Sequence, residues 1–226
     1  MSGSEVQVIW LTIKVAFLST CITMPVAIFI GWNLSRKDFF AKSIIESILF
    51  LPLVAPPVIT GYLLLMLLGK NGLVGGFLYN HLGIKLSFNF AALIIASFVV
   101  SLPLAVRSIR SSFDLVDPMY EKVSLTLGVK KLHTFFRISL PLALPGIISG
   151  SVLSFARSLG EFGATITFAG NILGKTQTMS LMVYSNMQIP GKEESVLRLV
   201  IISVVISFIA MVLSEIINKK RMYLIK

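Results

Sequence analysis

The heptapeptide GNILGKT at 170–176 comes within one residue of a phosphate-cradling loop, in which backbone N–H groups wrap an anion and a lysine meets its terminal phosphates. That loop reads G-x-x-x-x-G-K-[ST], and counting back five from Gly174 reaches Ala169 where the first glycine belongs. Without that glycine the backbone lacks the freedom to fold round the anion. Other residues able to do chemistry are sparse. His81 and His133 are the two histidines, and no carboxylate pair or activated nucleophile accompanies either within an apolar run. Cys21 is the lone cysteine, which excludes a disulfide or a cysteine metal site within one chain and leaves a small packing residue. Arg157 and Glu161 are the charged pair that stands out: four apart, they share one helical face, where charges in lipid are costly unless paired or facing water. No catalytic residue, metal site or cofactor is expected in this chain.

Those residues are embedded in an unusually apolar sequence. Of 226 residues, 55% are hydrophobic and 13% charged, against about 45–50% and about 25% in an ordinary soluble domain. A helix needs about 20 apolar residues to cross about 30 Å of hydrocarbon. Five runs of about that length can be marked off, at 8–34, 47–68, 90–106, 142–159 and 199–217. Each is apolar on all faces, without the alternation of a membrane β-barrel, so each is expected to be a helix that satisfies its own backbone. The expected architecture is an all-α membrane protein, a single transmembrane domain over 1–226. The first run has no Lys or Arg before it and exceeds a signal peptide's apolar core, so it reads as a retained anchor.

The formal charge of +10 follows the topology rather than a nucleic-acid surface, for no soluble module interleaves aromatic and basic residues. Loop one holds Arg36, Lys37 and Lys42; the loop at 107–140 holds Arg107, Arg110, Lys122, Lys130, Lys131 and Arg137; the tail holds Lys219, Lys220, Arg221 and Lys226. The opposite side has five, Lys70, Lys85, Lys175, Lys192 and Arg198, and Lys14 and Arg157 fall inside spans. The positive-inside rule then puts the N-terminus outside the cell membrane and the C-terminus in the cytoplasm. It also puts GNILGKT outside, away from cytoplasmic nucleotide.

The basic loop at 107–140 is long for a simple connection and so reads as functional. Within it, EKVSLTLGVKKLHTFFRISLP sets Val123, Leu127, Leu132, Phe135 and Phe136 at near-helical spacing on either side of Gly128. Two short helices turning at that glycine would form a knob suited to a groove on a cytoplasmic partner. At these residues the chain resembles the permease subunits of ABC importers, whose cytoplasmic signature runs E-A-A, three residues, G, nine residues, I-x-L-P. In the E-x-A-A-x-x-L-G form, Glu121 opens it, Gly128 is the glycine, 129–137 are the nine, and Ile138, Leu140 and Pro141 close it. Val123 and Ser124 stand where the family usually has Ala-Ala. The resemblance implies the type I importer fold, with this loop as the coupling-helix pair seated on a separate ATP-binding subunit. The ATPase-coupling residues it implies are Glu121, Val123, Ser124, Leu127, Gly128, Ile138, Leu140 and Pro141.

Three further stretches, LPLVAPPVITGYLLL, TLGVKKLHTFFRISLPLALPGI and SFARSLGEFGATITFAGNI, look like oxyanion permeases, those for molybdate, tungstate and sulfate. The likeness runs from Val8 to about Ile217, and the compact chain, without an added amino-terminal span or fused ATPase, favours the molybdate permeases. It implies an external oxyanion-binding protein and two copies of the ATPase subunit as partners. Five spans enclose too little space for a whole path and show no inverted repeat, so a second copy of the chain is expected, and an ion-driven secondary transporter or a membrane-embedded enzyme is disfavoured. For Arg157 and Glu161 two readings stand: a fixed strut, or a guanidinium beside the anion path. In the second, helix breaks at Pro56-Pro57 and Gly160-x-x-Gly163 would offer free N–H donors to a divalent oxyanion; in the first, the same residues are kinks tolerated by packed helices. The small residues Gly146, Gly150, Ser151 and Ser154 mark a face of span four suited to close packing, with the contact between copies as one candidate. An apolar stretch too short to cross, MSLMVYSNMQI, is expected as a short helix at the outer mouth.

Overall fold

A computed structural model describes residues 3–38 and 40–225, with side chains except those of Ser214 and 217–225. The side chains of Lys219, Lys220 and Arg221, and all of Lys226, counted above as tail charges, lie outside the described residues. Every regular element among the described residues is helical: α1 (Gly3–Arg36), α2 (Lys42–Val54), α3 (Pro57–Leu68), α4 (Leu73–Leu82), α5 (Phe90–Asp114), α6 (Pro118–Thr126), α7 (Lys131–Thr134), a π-helical turn (Phe135–Ser139), α8 (Leu140–Leu142), α9 (Leu144–Leu159), α10 (Gly163–Phe168), α11 (Met179–Asn186) and α12 (Glu193–Ile225).

The core is the packing of α1, α5 and α9 on one another. On α1 the buried residues Val8, Thr12, Val15, Ser19, Thr23, Ala27, Gly31 and Leu34 recur three or four apart, one stripe of a helix facing its neighbours. Its hydroxyls are satisfied locally, Thr12 donating to the Val8 carbonyl and Thr23 to that of Ser19, each at 2.8 Å. Ser19 also donates across to Ser158 of α9 at 3.1 Å. The small-residue face of α9 is spent inside this core. A Cβ on Gly146 would lie 2.8 Å from the Ser108 carbonyl and overlap Ser112, and one on Gly150 would lie 3.2 Å from the Ala105 carbonyl. Ser108 donates to the Gly146 carbonyl at 3.1 Å, and the Gly146 N–H reaches the Ser112 hydroxyl at 3.2 Å. The expected contact between copies at Gly146, Gly150 and Ser154 is therefore corrected to an intrachain crossing with α5, Ser154 being fully buried. Ser151, half-buried, turns its hydroxyl back to the Ile148 carbonyl.

Three helices are long and apolar enough to cross a membrane, and two bent pairs raise the number to five when each pair is one span. The run 47–68, expected as one span with a break or kink at Pro56-Pro57, is α2 and α3 meeting at 115°. Pro56 and Pro57 explain the break: Pro57 takes the first helical turn of α3, where its missing N–H costs nothing, and Ala55 before them is extended. The second bend, 71°, separates the segment Lys131–Leu142 from α9. Helix α5 runs on to Asp114, so Arg107 and Arg110, expected in the loop 107–140, are helical, and the loop proper starts at Leu115. Arg110 pairs there with Glu46 of α2 at 2.8 Å.

Candidate functional site

The polar end of the bundle carries a helical knob. Asp117 caps α6, accepting from the Met119 N–H at 2.8 Å, and Pro118 takes the first turn. The helix ends at Gly128, whose φ is +82°, the left-handed region that favours glycine. Around it the Gly128 N–H reaches the Leu125 carbonyl at 3.0 Å and the Val129 N–H that of Ser124 at 3.2 Å, the paired bonds of a Schellman stop. Chain direction reverses into α7, and Ser124 and Thr134 join the two helices by their hydroxyls at 2.9 Å. The departure from the alanine pair is thereby explained at Ser124: a buried hydroxyl is kept because it has a buried partner.

The knob's outer face is apolar. Met119, Tyr120, Val123 and Leu127 are exposed on it, Leu127 to 77%, with Leu132 and Phe136 exposed beyond the turn. Phe135, expected on the same face, turns inward instead, 4.9 Å from Trp32 and 6.3 Å from Phe113 between ring centroids. Glu121 also points inward. One of its oxygens accepts from Arg36 Nε of α1 at 2.9 Å and from the Ser139 hydroxyl at 2.7 Å. Arg36 further donates to the Val116 carbonyl at 2.9 Å. Glu121 and Ser124 thus hold the knob from behind, while Val123 and Leu127 present it. Pro141 sets the shape of the arm that follows. Lacking an N–H, it cannot continue the α-helical ladder, and the turn before it widens to π, the Leu140 N–H bonding the Phe135 carbonyl. Ile138 lies in that turn and Leu140 packs into the core cluster around Phe113.

At the far end of α9 the chain leaves the helix at Gly160 and restarts at Gly163 as α10. Arg157 Nη1 stands 2.7 Å from Glu161 Oε2, a charge contact without hydrogen-bond alignment. The other oxygen, Glu161 Oε1, accepts from the Ala164 N–H at 2.7 Å and so caps α10. Glu161 is 2% exposed and Arg157 26% at the side chain. The expectation of open N–H donors for an anion at the Gly160-x-x-Gly163 break is corrected by this geometry: an internal carboxylate occupies that place. Pro57 and Gly163 do come together, since a Cβ on Gly163 would lie 2.7 Å from the Pro57 Cβ. The crossing of α3 and α10 is completed by Gly61, where a Cβ would sit 2.7 Å from the Ala164 Cα and carbonyl oxygen.

A second charged cluster ties α1 to α12. Buried Glu5 of α1 accepts from the Ser195 hydroxyl at 2.6 Å and from Arg198 Nη2 at 3.0 Å, both on α12. The short stretch expected as a helix forms α11, which buries Met179 and Leu181. In GNILGKT the Thr176 hydroxyl donates to the Gly170 carbonyl at 3.1 Å and accepts from the Ile172 N–H at 3.0 Å, so the loop closes on itself. His81 is exposed and lies 3.0 Å from the Phe77 carbonyl, and among the described residues no group of His, Cys, Asp and Glu could hold a metal ion.

Four partners were not legible in advance: Arg36 and Ser139 behind Glu121, Thr134 behind Ser124, and Gly61 against α10. Arg36 reads from sequence as one of several topological charges, and a lone glycine in an apolar run has no spacing that marks a crossing. For Arg157→Gln we expect a loss of about 3 kcal/mol, because Glu161 is left as an unpaired buried charge. Arg157→Gln/Glu161→Gln should melt close to the parent and recover uptake, since a glutamine oxygen still caps Ala164. Equal loss of uptake in both variants, with melting unchanged, would instead put the guanidinium on the solute.

Residues 23–223 match the family model described as binding-protein-dependent transport system inner membrane component. The molybdenum transport system permease protein of Haemophilus influenzae is 47% identical over 216 residues, 96% of this chain and 94% of that protein. Its counterpart in Escherichia coli K12 is 45% identical over 215 residues, 95% and 94% of the two chains. Among solved structures, a bacterial ABC transporter involved in alginate import matches with a TM-score of 0.76 at 14% identity, covering 97% of this chain and 80% of that one. The methionine transporter MetNI matches at 0.73 and 15%, covering 97% and 99%. At such identities the likeness is one of fold.

Proposed function

The chain belongs to the binding-protein-dependent inner-membrane transport components, and from that premise we propose that two copies of it line the path of an ATP-driven molybdate importer. ATP is hydrolysed by two copies of a separate cytoplasmic subunit, and an external oxyanion-binding protein delivers the solute. The N-terminus faces outward and the knob inward. The molybdenum permeases that match the chain over nearly its whole length support the solute.

The observation that carries the coupling role is the exposed face of Met119, Tyr120, Val123 and Leu127, mounted on a carboxylate bound at once to α1 and to the π-turn. A partner that grips this face moves Glu121, and with it Arg36 and Ser139. Ser139 lies on the arm that bends into α9; α9 ends at the Arg157–Glu161 break; Glu161 caps α10; and α10 is locked on α3 through Gly61 and Gly163. Each link is a close contact, so closure of the ATPase reaches the broken helices as a shift of packed elements rather than through a flexible loop.

The test is reconstitution of the chain with its ATPase and external binding protein in proteoliposomes. Molybdate uptake should require ATP and all three components, with tungstate competing far better than sulfate. ATP hydrolysis by the isolated chain, or uptake driven by an ion gradient alone, would overturn the proposal.

A further inference from the structure

Between the Arg36-proximal half of α1 and the arm 131–142 runs a groove lined by Leu132 and Phe136 of the knob but by none of Met119, Tyr120, Val123 and Leu127. It encloses about 610 Å³ and is walled by Ile28, Phe29 and Trp32 on one side and Leu132, Phe136 and Leu140 on the other. Lys131 is the one charged residue lining it. Among the described residues Lys131 forms no ion pair and is exposed, as is Lys130 before it.

We propose that this groove binds an anionic phospholipid, one acyl chain lying between α1 and the arm and the phosphate meeting Lys131. One wall belongs to a helix long and apolar enough to cross the bilayer, which sets a lipid ahead of a cytosolic protein. The wall lies within the last three turns of α1, and Trp32 is one turn from Arg36, the depth at which aromatic residues mark the membrane interface. Apolar walls demand an apolar occupant, and an unpaired ammonium at the mouth demands a negative head group. No carboxylate among the lining residues opposes that charge. The inward placement of the groove rests on the orientation proposed above; lipid binding itself does not, because it is measured without transport. The bound chain would brace the two elements that Glu121 joins.

Trp32 supplies the probe, because the chain has 2 tryptophans and Trp10 can be replaced by Phe. The full-length Trp10→Phe chain is placed in bilayers in which either a phosphatidylglycerol or a phosphatidylcholine carries brominated acyl chains, and quenching of Trp32 is followed against mole fraction. Phosphatidylglycerol should half-saturate at about fivefold lower fraction, the preference that about one basic residue near the surface confers. Lys131→Glu should erase this preference and Lys131→Arg should keep it, with both variants still inserted. Equal quenching by the two lipids in the parent would overturn the proposal in favour of ordinary annular lipid. Absence of quenching would overturn it in favour of a protein surface, a second copy or the cytoplasmic subunit, filling the groove.

Discussion

Gly128→Val is expected to abolish uptake and copurification of the ATPase subunit while leaving the chain in the membrane. The space around Gly128 is open, with no atom within 4 Å of a built Cβ, so the effect is one of backbone conformation and not of crowding. A β-branched residue held at φ +82° costs about 1–3 kcal/mol. That is ample here, because α6 has 9 residues and buries only Ser124 among them, so its folding is local and weakly supported. Gly128→Asn provides the contrast: asparagine tolerates the left-handed region, and that variant should retain most of its uptake. Copurification with the ATPase and uptake in vesicles check both. If Asn fails as completely as Val, the glycine is needed as a bare surface against the partner and not as a turn.

Gly61→Val should give the opposite division, with the ATPase still bound and transport lost. A Cβ at 61 would overlap the Thr167 hydroxyl and lie 2.7 Å from two backbone atoms of Ala164. The hydroxyl can rotate away; the backbone cannot, because Glu161 caps the same short helix at the Ala164 N–H. Overpacking of this kind costs about 1–3 kcal/mol and forces helices apart. Adding Thr167→Ala should therefore fail to restore uptake. Recovery in the double variant would mean that the crossing is held by one side chain and that α3 and α10 slide freely.

Much of the architecture was legible because lipid leaves the backbone so few options. Long apolar runs must become helices, and α1, α5, α9 and α12 fall on four of the five runs expected. The turn at Gly128 was legible for a similar reason, since a glycine between two amphipathic segments has a specific backbone use. What was not legible depends on distant packing. Pro56-Pro57 announces a break, but the 115° angle follows from α3 lying on α10, more than a hundred residues further on. Arg107 and Arg110 looked like loop because they are charged, yet α5 carries them for two more turns where Glu46 and Asp114 neutralise Arg110. At the candidate site, the outward residues Val123 and Leu127 were marked by their periodicity. The direction of Glu121 was not, because Arg36 and Ser139, 85 and 18 positions away, decide it. The expected anion donors at Gly163 failed for a local reason: the carboxylate of Glu161, weighed from sequence only as the partner of Arg157, also caps the Ala164 N–H.

The Glu5–Arg198 contact spans 193 positions of the chain. During synthesis Glu5 is threaded early and meets Ser195 and Arg198 only once α12 has emerged from the ribosome. The bundle is in this sense a belt with its buckle at the end, this fastening closing only when α12 inserts.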